Sequence, residues 1–161
     1  MRRPLVYIAS PYTHGDVGIN VHFQCRMFDE LLREELVVPL VPLWTHFQHL
    51  LFPRTYQDWV EYDNAIIERC DACLRLNVRY FCPSIHHSGP PLIYEEKKSK
   101  GADAEVELFK SLSKPVFYSK IDLYEWVSEQ SERHGGTDRH RTALEEQRGP
   151  ASMEEQQEEK E

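Results

Sequence analysis

Residues Leu5–Ala9 form an unbroken apolar run, LVYIA, set between Pro4 and the Ser10-Pro11 pair. A strand that is apolar on both of its faces must be covered on both, a condition met chiefly in parallel sheets flanked by helices. The rest of the chain keeps to that plan. Gly15 to Glu35 places Val17, Val21, Phe28, Leu31 and Leu32 at helical spacing, and Val37–Val41 follows as a second strand. Pro53-Arg-Thr-Tyr begins another helix with Thr55 as its N-cap, and Cys73–Leu76 reads as a short third strand. Ser99 opens the next helix, Lys114-Pro-Val-Phe-Tyr supplies a fourth strand, and Ile121–Val127 closes with a helix that includes Trp126. Such alternation predicts an α/β fold, a doubly wound (flavodoxin- or Rossmann-like) parallel sheet of four to five strands. Pro39 and Pro42 put the second strand at an edge or end it early. In sheets of this class ligands bind beyond the carboxyl ends of the strands, at the switch point.

Length bounds the domain count. At 161 residues the chain holds one domain and at most an appendage. From Ser128 onward it is almost devoid of apolar side chains and closes on an acidic run, so it cannot offset its own ordering entropy. The expectation is an α/β domain over 1–127 and a disordered acidic tail over 128–161. Asp and Glu (27) exceed Lys and Arg (19), a net charge of -8 that argues against a nucleic-acid surface. No apolar run is long enough to span a bilayer, and the N-terminal apolar stretch is too short for a signal peptide. With four cysteines and no secretion signal, the expectation is reduced thiols in a cytoplasmic or nuclear compartment. Residues 77–98, with three prolines, predict no regular element; Tyr80, Phe81 and Tyr94 favour an ordered flap.

Two carboxylates occupy positions where helices carry apolar side chains. Along Gly101–Leu112 the inward stripe passes through Gly101, Ala102, Glu105, Leu108, Phe109 and Leu112, leaving Asp103, Glu107 and Lys110 to solvent. Along Tyr56–Cys70 it passes through Trp59, Ile66, Ile67 and Cys70, and Asp63 lies on it. A carboxylate so placed costs several kcal/mol, as an order of magnitude, unless it is paired, hydrogen-bonded or in a cleft. Two in one small domain mark Glu105 and Asp63 as a candidate site, and burial would drive their pKa values apart.

At the start of the Glu105 helix, Lys97, Lys98 and Lys100 crowd an N-terminus whose dipole disfavours cations, beside Ser99 and Gly101. Free N–H groups, a glycine and lysines are the parts of a phosphate cradle. Cys70-x-x-Cys73 has redox or zinc spacing, but one cysteine falls on a buried helix stripe and the other in a strand, so both read as core thiols. His46 and His49 lie in the loop expected after the second strand, and His86-His87 in the 77–98 segment; none has a spacing that fixes a metal geometry. Asp71 reads as a backbone partner at the start of the third strand.

Taken in order, Tyr7-Ile-Ala-Ser-Pro-Tyr, Asp63, Asp71, Ser99-x-Gly101-x-x-x-Glu105 and Lys114-Pro-Val resemble the nucleoside 2-deoxyribosyltransferase-like superfamily over nearly all of residues 4–118. The resemblance implies that Glu105 is a nucleophile toward an anomeric carbon, that Asp63 works beside it and that Tyr7 orients it. Transferase members carry aspartate at the position of Ser99, whereas 5′-monophosphate N-glycosidases carry a phosphate-binding serine, so the chain resembles the hydrolase branch. The pattern departs after the first strand, where those hydrolases have a serine and an arginine and this chain has Pro11, Tyr12 and Thr13. Ser10, Tyr12 and His14 are the candidates for substrate contact there. The expected reaction is hydrolysis of a (deoxy)nucleoside 5′-monophosphate to free base and sugar phosphate. Deoxyribosyl transfer and a non-catalytic nucleotide sensor are the alternatives. The expected partner is a small-molecule nucleotide or nucleoside, with no nucleic acid, membrane, cofactor or metal, bound by a homodimer or higher homo-oligomer.

Overall fold

The computed structural model describes residues 2–13, 16–76 and 99–133. Its sheet contains β1 (Leu5–Ala9), β2 (Val38–Leu40), β3 (Ala72–Arg75) and β4 (Val116–Phe117), all parallel, in the order β2-β1-β3-β4. The helices are α1 (Val17–Glu34), α2 (Thr45–Leu51), α3 (Tyr56–Ile67), α4 (Lys100–Ser111) and α5 (Lys120–Arg133). This is the expected doubly wound α/β architecture. The chain leaves β1 for β2 on one side and returns to β3 on the other, so a crevice opens beyond the carboxyl ends of β1 and β3. Pro39 sits in β2, which lies at one end of the described sheet, where a missing N–H is tolerated.

The apolar run of β1 is buried on both sides, and its two-residue period assigns each side chain to a layer. Val6 and Ile8 join Leu31, Val37, Leu74, Leu123, Tyr124 and Val127 in a cluster under α1 and α5. Tyr7 and Ala9 join Ile67, Cys70, Cys73, Ala102, Val106 and Phe109 in a second cluster under α3 and α4. Tyr7 therefore faces the helices that carry Asp63 and Glu105.

Local chemistry fixes where these helices start. Thr55 caps α3 in a reciprocal capping box with Asp58, and Ser99 caps α4 by accepting from the Ala102 N–H. Lys114 donates through Nζ to the Ile67 and Glu68 carbonyls, satisfying the end of α3.

Several expectations need correction. The segment after β2 is no loop: Pro42–Trp44 forms a 3₁₀ turn that runs into α2. The third strand begins at Ala72 rather than Cys73. Leu32 and Leu112, placed on inward stripes, are exposed, while Val106 and Val60 turn inward. The closing helix passes Val127 and reaches Arg133, since Ser131 continues the buried line of Leu123, Tyr124 and Val127. A small serine packs there without any apolar signal. Residues 134–161, the rest of the expected tail, and 77–98, the expected flap, lie outside the described residues, as do His14, Lys97 and Lys98. No helix among the described residues is long and apolar enough to cross a membrane.

Candidate functional site

A cavity of about 520 Å³ opens at the crevice, bordered by the end of β1, the 3₁₀ turn, α2, α3 and the start of α4. Asp63 reaches it from α3, Glu105 from α4 and Ser10 from the end of β1. Beneath the floor, the fully buried Tyr7 donates its hydroxyl hydrogen to Glu105 Oε1 at 3.0 Å. The other Glu105 oxygen, Oε2, and Asp63 Oδ1 are both buried and without a hydrogen-bond partner among the described residues. Native proteins rarely leave such atoms orphaned, because each forfeits solvation without a replacement.

Electrostatics follow from that burial. Desolvation, with the nearby charge of Asp63, pushes the Glu105 carboxyl up to about 8, against smaller opposing effects of the Tyr7 hydrogen bond and the Arg75 guanidinium. Desolvation alone pushes Asp63 up to about 6. Tyr7 is raised well above its ordinary value by burial and by the two carboxylates. Between these two values the pair as a whole holds a single proton.

Arg75 ends β3 with only 5% of its side chain exposed, donating to Asp103 at 3.0 Å and to the Leu76 carbonyl at 2.9 Å. Asp103 lies on the wet face of α4, as its spacing predicts, yet it anchors this buried cation. Arg75 drew no attention as a sequence position; a charged residue inside an apolar strand was the available signal. Gln24 was also overlooked, although it falls on the same helical stripe as Val17, Val21, Phe28 and Leu31.

Ser99 is buried at the N-cap of α4, where its Oγ accepts from Ala102 at 3.4 Å. Gly101 borders the cavity, and a Cβ placed there would meet nothing within 4 Å. No protein contact requires a glycine at that position. Tyr12 also borders the cavity and shares a hydrogen bond of 2.7 Å with His46 Nδ1. His46 and His49 face the cavity as expected, but from a helix rather than a loop. Asp71 stands away from this group. It accepts from the Leu5 N–H at 2.7 Å and from Arg2, the backbone role expected of it. Cys70 and Cys73 are buried free thiols, pushed by desolvation up to about 11 and about 12. Among the described residues no group of three or more His, Cys, Asp and Glu side chains is arranged to hold a metal ion.

No protein-family model matches the chain, and no curated protein matches it.

Proposed function

We propose that the cavity cleaves the N-glycosidic bond of a (deoxy)nucleoside 5′-monophosphate, with Glu105 as nucleophile and Asp63 as its acid–base partner. The observation that carries this reading is a pair of buried, unpartnered carboxylate oxygens, Glu105 Oε2 and Asp63 Oδ1, on two residues that line one cavity. Two carboxyl groups beside an anomeric carbon suffice for retaining glycoside cleavage. In the first step Glu105 Oε2 bonds to the anomeric carbon as the carbon–nitrogen bond breaks, and the base departs with the proton of Asp63. Asp63, now ionised, takes a proton from water; the hydroxide breaks the ester and frees Glu105 with the sugar phosphate. The competent form has Glu105 ionised and Asp63 protonated, the minor of the two ways in which the pair can carry its single proton, because burial holds the proton more tightly on Glu105. Tyr7 and Arg75 both favour the Glu105 anion in that form.

Phosphate is assigned to the start of α4. Ser99 Oγ accepts from the backbone, which leaves its hydrogen to donate, and the open space beside Gly101 admits a bulky anion to the helix N-terminus. Lys100 adds a positive charge there. The exposed Phe47, Leu50 and Leu51 of α2, with Phe52, are the surface that a homodimer or higher homo-oligomer would cover, which sedimentation of wild-type protein against Leu51→Lys examines.

The direct test incubates the full chain with nucleoside 5′-monophosphates and nucleosides and assays released base. Release into water without an acceptor base distinguishes hydrolysis from transfer. A chain that binds nucleotides and releases no base under any condition is a sensor, and the catalytic reading then fails.

A further inference from the structure

On the wall facing the carboxylates, made by the end of β1, the 3₁₀ turn and α2, two polar groups, Ser10 and His49, are oriented by hydrogen bonds from donors behind them. Gln24 is fully buried, and both ends of its amide are settled by backbone groups. Nε2 donates to the Ile8 carbonyl at 2.8 Å, and Oε1 accepts from the Leu43 N–H at 2.8 Å. A carbonyl cannot donate and an N–H cannot accept, so the amide has only one orientation. Its second Nε2 hydrogen goes to Ser10 Oγ at 2.9 Å. Ser10 thus accepts inside the protein, and its own hydroxyl hydrogen is left for the cavity that it borders.

His49 obeys the same logic. The Trp59 indole, which can only donate, gives its Nε1–H to His49 Nδ1 at 2.9 Å, and the Arg54 backbone N–H approaches the same atom at 3.4 Å. With Nδ1 accepting, the imidazole proton sits on Nε2. Arg54, whose side chain carries donors and no acceptor, borders the cavity beside it.

We infer that Ser10, His49 and Arg54 form a donor subsite on this wall, in which their free hydrogens bind acceptor oxygens of the ligand. Gln24 and the Trp59 indole N–H are its positioning groups, since they act through Ser10 and His49. The inference rests on the cavity being a nucleotide site and names what that site selects. Acceptor oxygens come from two sources in a nucleotide, the oxo edge of the base and the phosphate. A base with an amino group at the same edge would set donor against donor and leave both unpaired.

The test is calorimetric binding to full-length Glu105→Gln protein, which does not turn over. Deoxyinosine monophosphate is compared with deoxyadenosine monophosphate, deoxyuridine monophosphate with deoxycytidine monophosphate, and each with its nucleoside. The oxo member of each pair is expected to bind about 10-fold tighter or more. Ser10→Ala, which removes the donating hydroxyl, should erode that preference. Equal binding of oxo and amino bases, with the advantage of nucleotide over nucleoside falling in Ser10→Ala, assigns the wall to phosphate and keeps the inference. Preference for amino bases, or an oxo preference undiminished in Ser10→Ala, overturns it.

A second arm needs no ligand and so survives failure of the nucleotide reading. In nitrogen-15 NMR spectra Ser10→Ala should shift and deprotect one of the two Gln24 amide hydrogens and leave the other unchanged. If neither moves, the lock does not exist.

Discussion

The two faces of the sheet are packed from different chemistry. Under α1 and α5 the buried cluster is aliphatic apart from Tyr124, and the ionisable groups beside it, Glu30, Glu34 and Lys120, are partly exposed and paired with one another. Under α3 and α4 the cluster includes the Tyr7 phenol and two thiols, and borders two carboxyls, with Arg75 at its rim. The same strands supply both layers, because successive side chains of β1 and β3 alternate between them. One layer can therefore supply stability while the other tolerates desolvated charge. The comparison teaches that desolvated carboxyls can be confined to one side of a four-stranded sheet.

Substitutions that separate the faces should separate activity from stability. The largest effect is expected at Glu105: Glu105→Ala should lower base release by several orders of magnitude without preventing binding, measured by turnover and calorimetry. Glu107→Ala, one helical step outward on α4 and paired with Lys110 at the surface, should leave release nearly intact. Equal losses from the two would dissolve the distinction between inward and outward faces.

Next in size, Ser99→Asp should depress hydrolysis of monophosphates much more than any activity on nucleosides, since an anion at the N-cap repels phosphate. If the wild-type protein handles nucleosides and monophosphates alike and the substitution changes neither, phosphate is not bound there.

On the opposite face, Leu123→Ala should cost about 2–5 kcal/mol of stability in denaturant unfolding and leave turnover per folded molecule close to that of the wild type. A proportionate loss of turnover would show that the layers are coupled.

Glu105→Gln addresses the desolvation of that carboxyl itself. The folded pKa of Glu105, about 8, exceeds its ordinary value, so the proton stabilises the fold fully at low pH, and this stabilisation is lost as pH rises toward 8. Glutamine removes that dependence. Its gain in melting temperature over the wild type should be small near pH 4 and grow to a maximum above pH 8, at about 2–8 °C for each kcal/mol recovered. A gain that is flat with pH would mean that Glu105 is not desolvated.

The smallest effect concerns the proton. If the singly protonated pair is the competent form, kcat/KM should rise through about pH 6 and fall above about pH 8. Tyr7→Phe removes a hydrogen bond that lowers the Glu105 pKa, so it should move the alkaline limb upward. A downward shift would contradict the role given to Tyr7.

Much of this arrangement was written in local patterns. The double-sided apolar run of β1, the Thr55 and Ser99 caps and the helical phase of Asp63 and Glu105 each depend on residues within a turn or two, so periodicity reveals them. The α2 segment did not show itself, because Thr45–Leu51 carries its large apolar side chains outward and leaves two histidines facing the cavity. The last turns of α5 were hidden for a related reason, a buried serine having no apolar signature.

Sequence alone determined the α/β class and the helical phase that turns Asp63 and Glu105 inward on α3 and α4, and hence which two carboxylates are set against apolar surroundings. It could not determine what those side chains meet. That Gln24 spans Ile8, Ser10 and Leu43, that Trp59 fixes the hydrogen of His49, and that Arg75 reaches Asp103 are decisions of the tertiary structure. Periodicity sets the direction in which a side chain leaves its own element. A hydrogen bond or a desolvated charge needs the distance between two elements, and only the packing of the whole sheet supplies that distance.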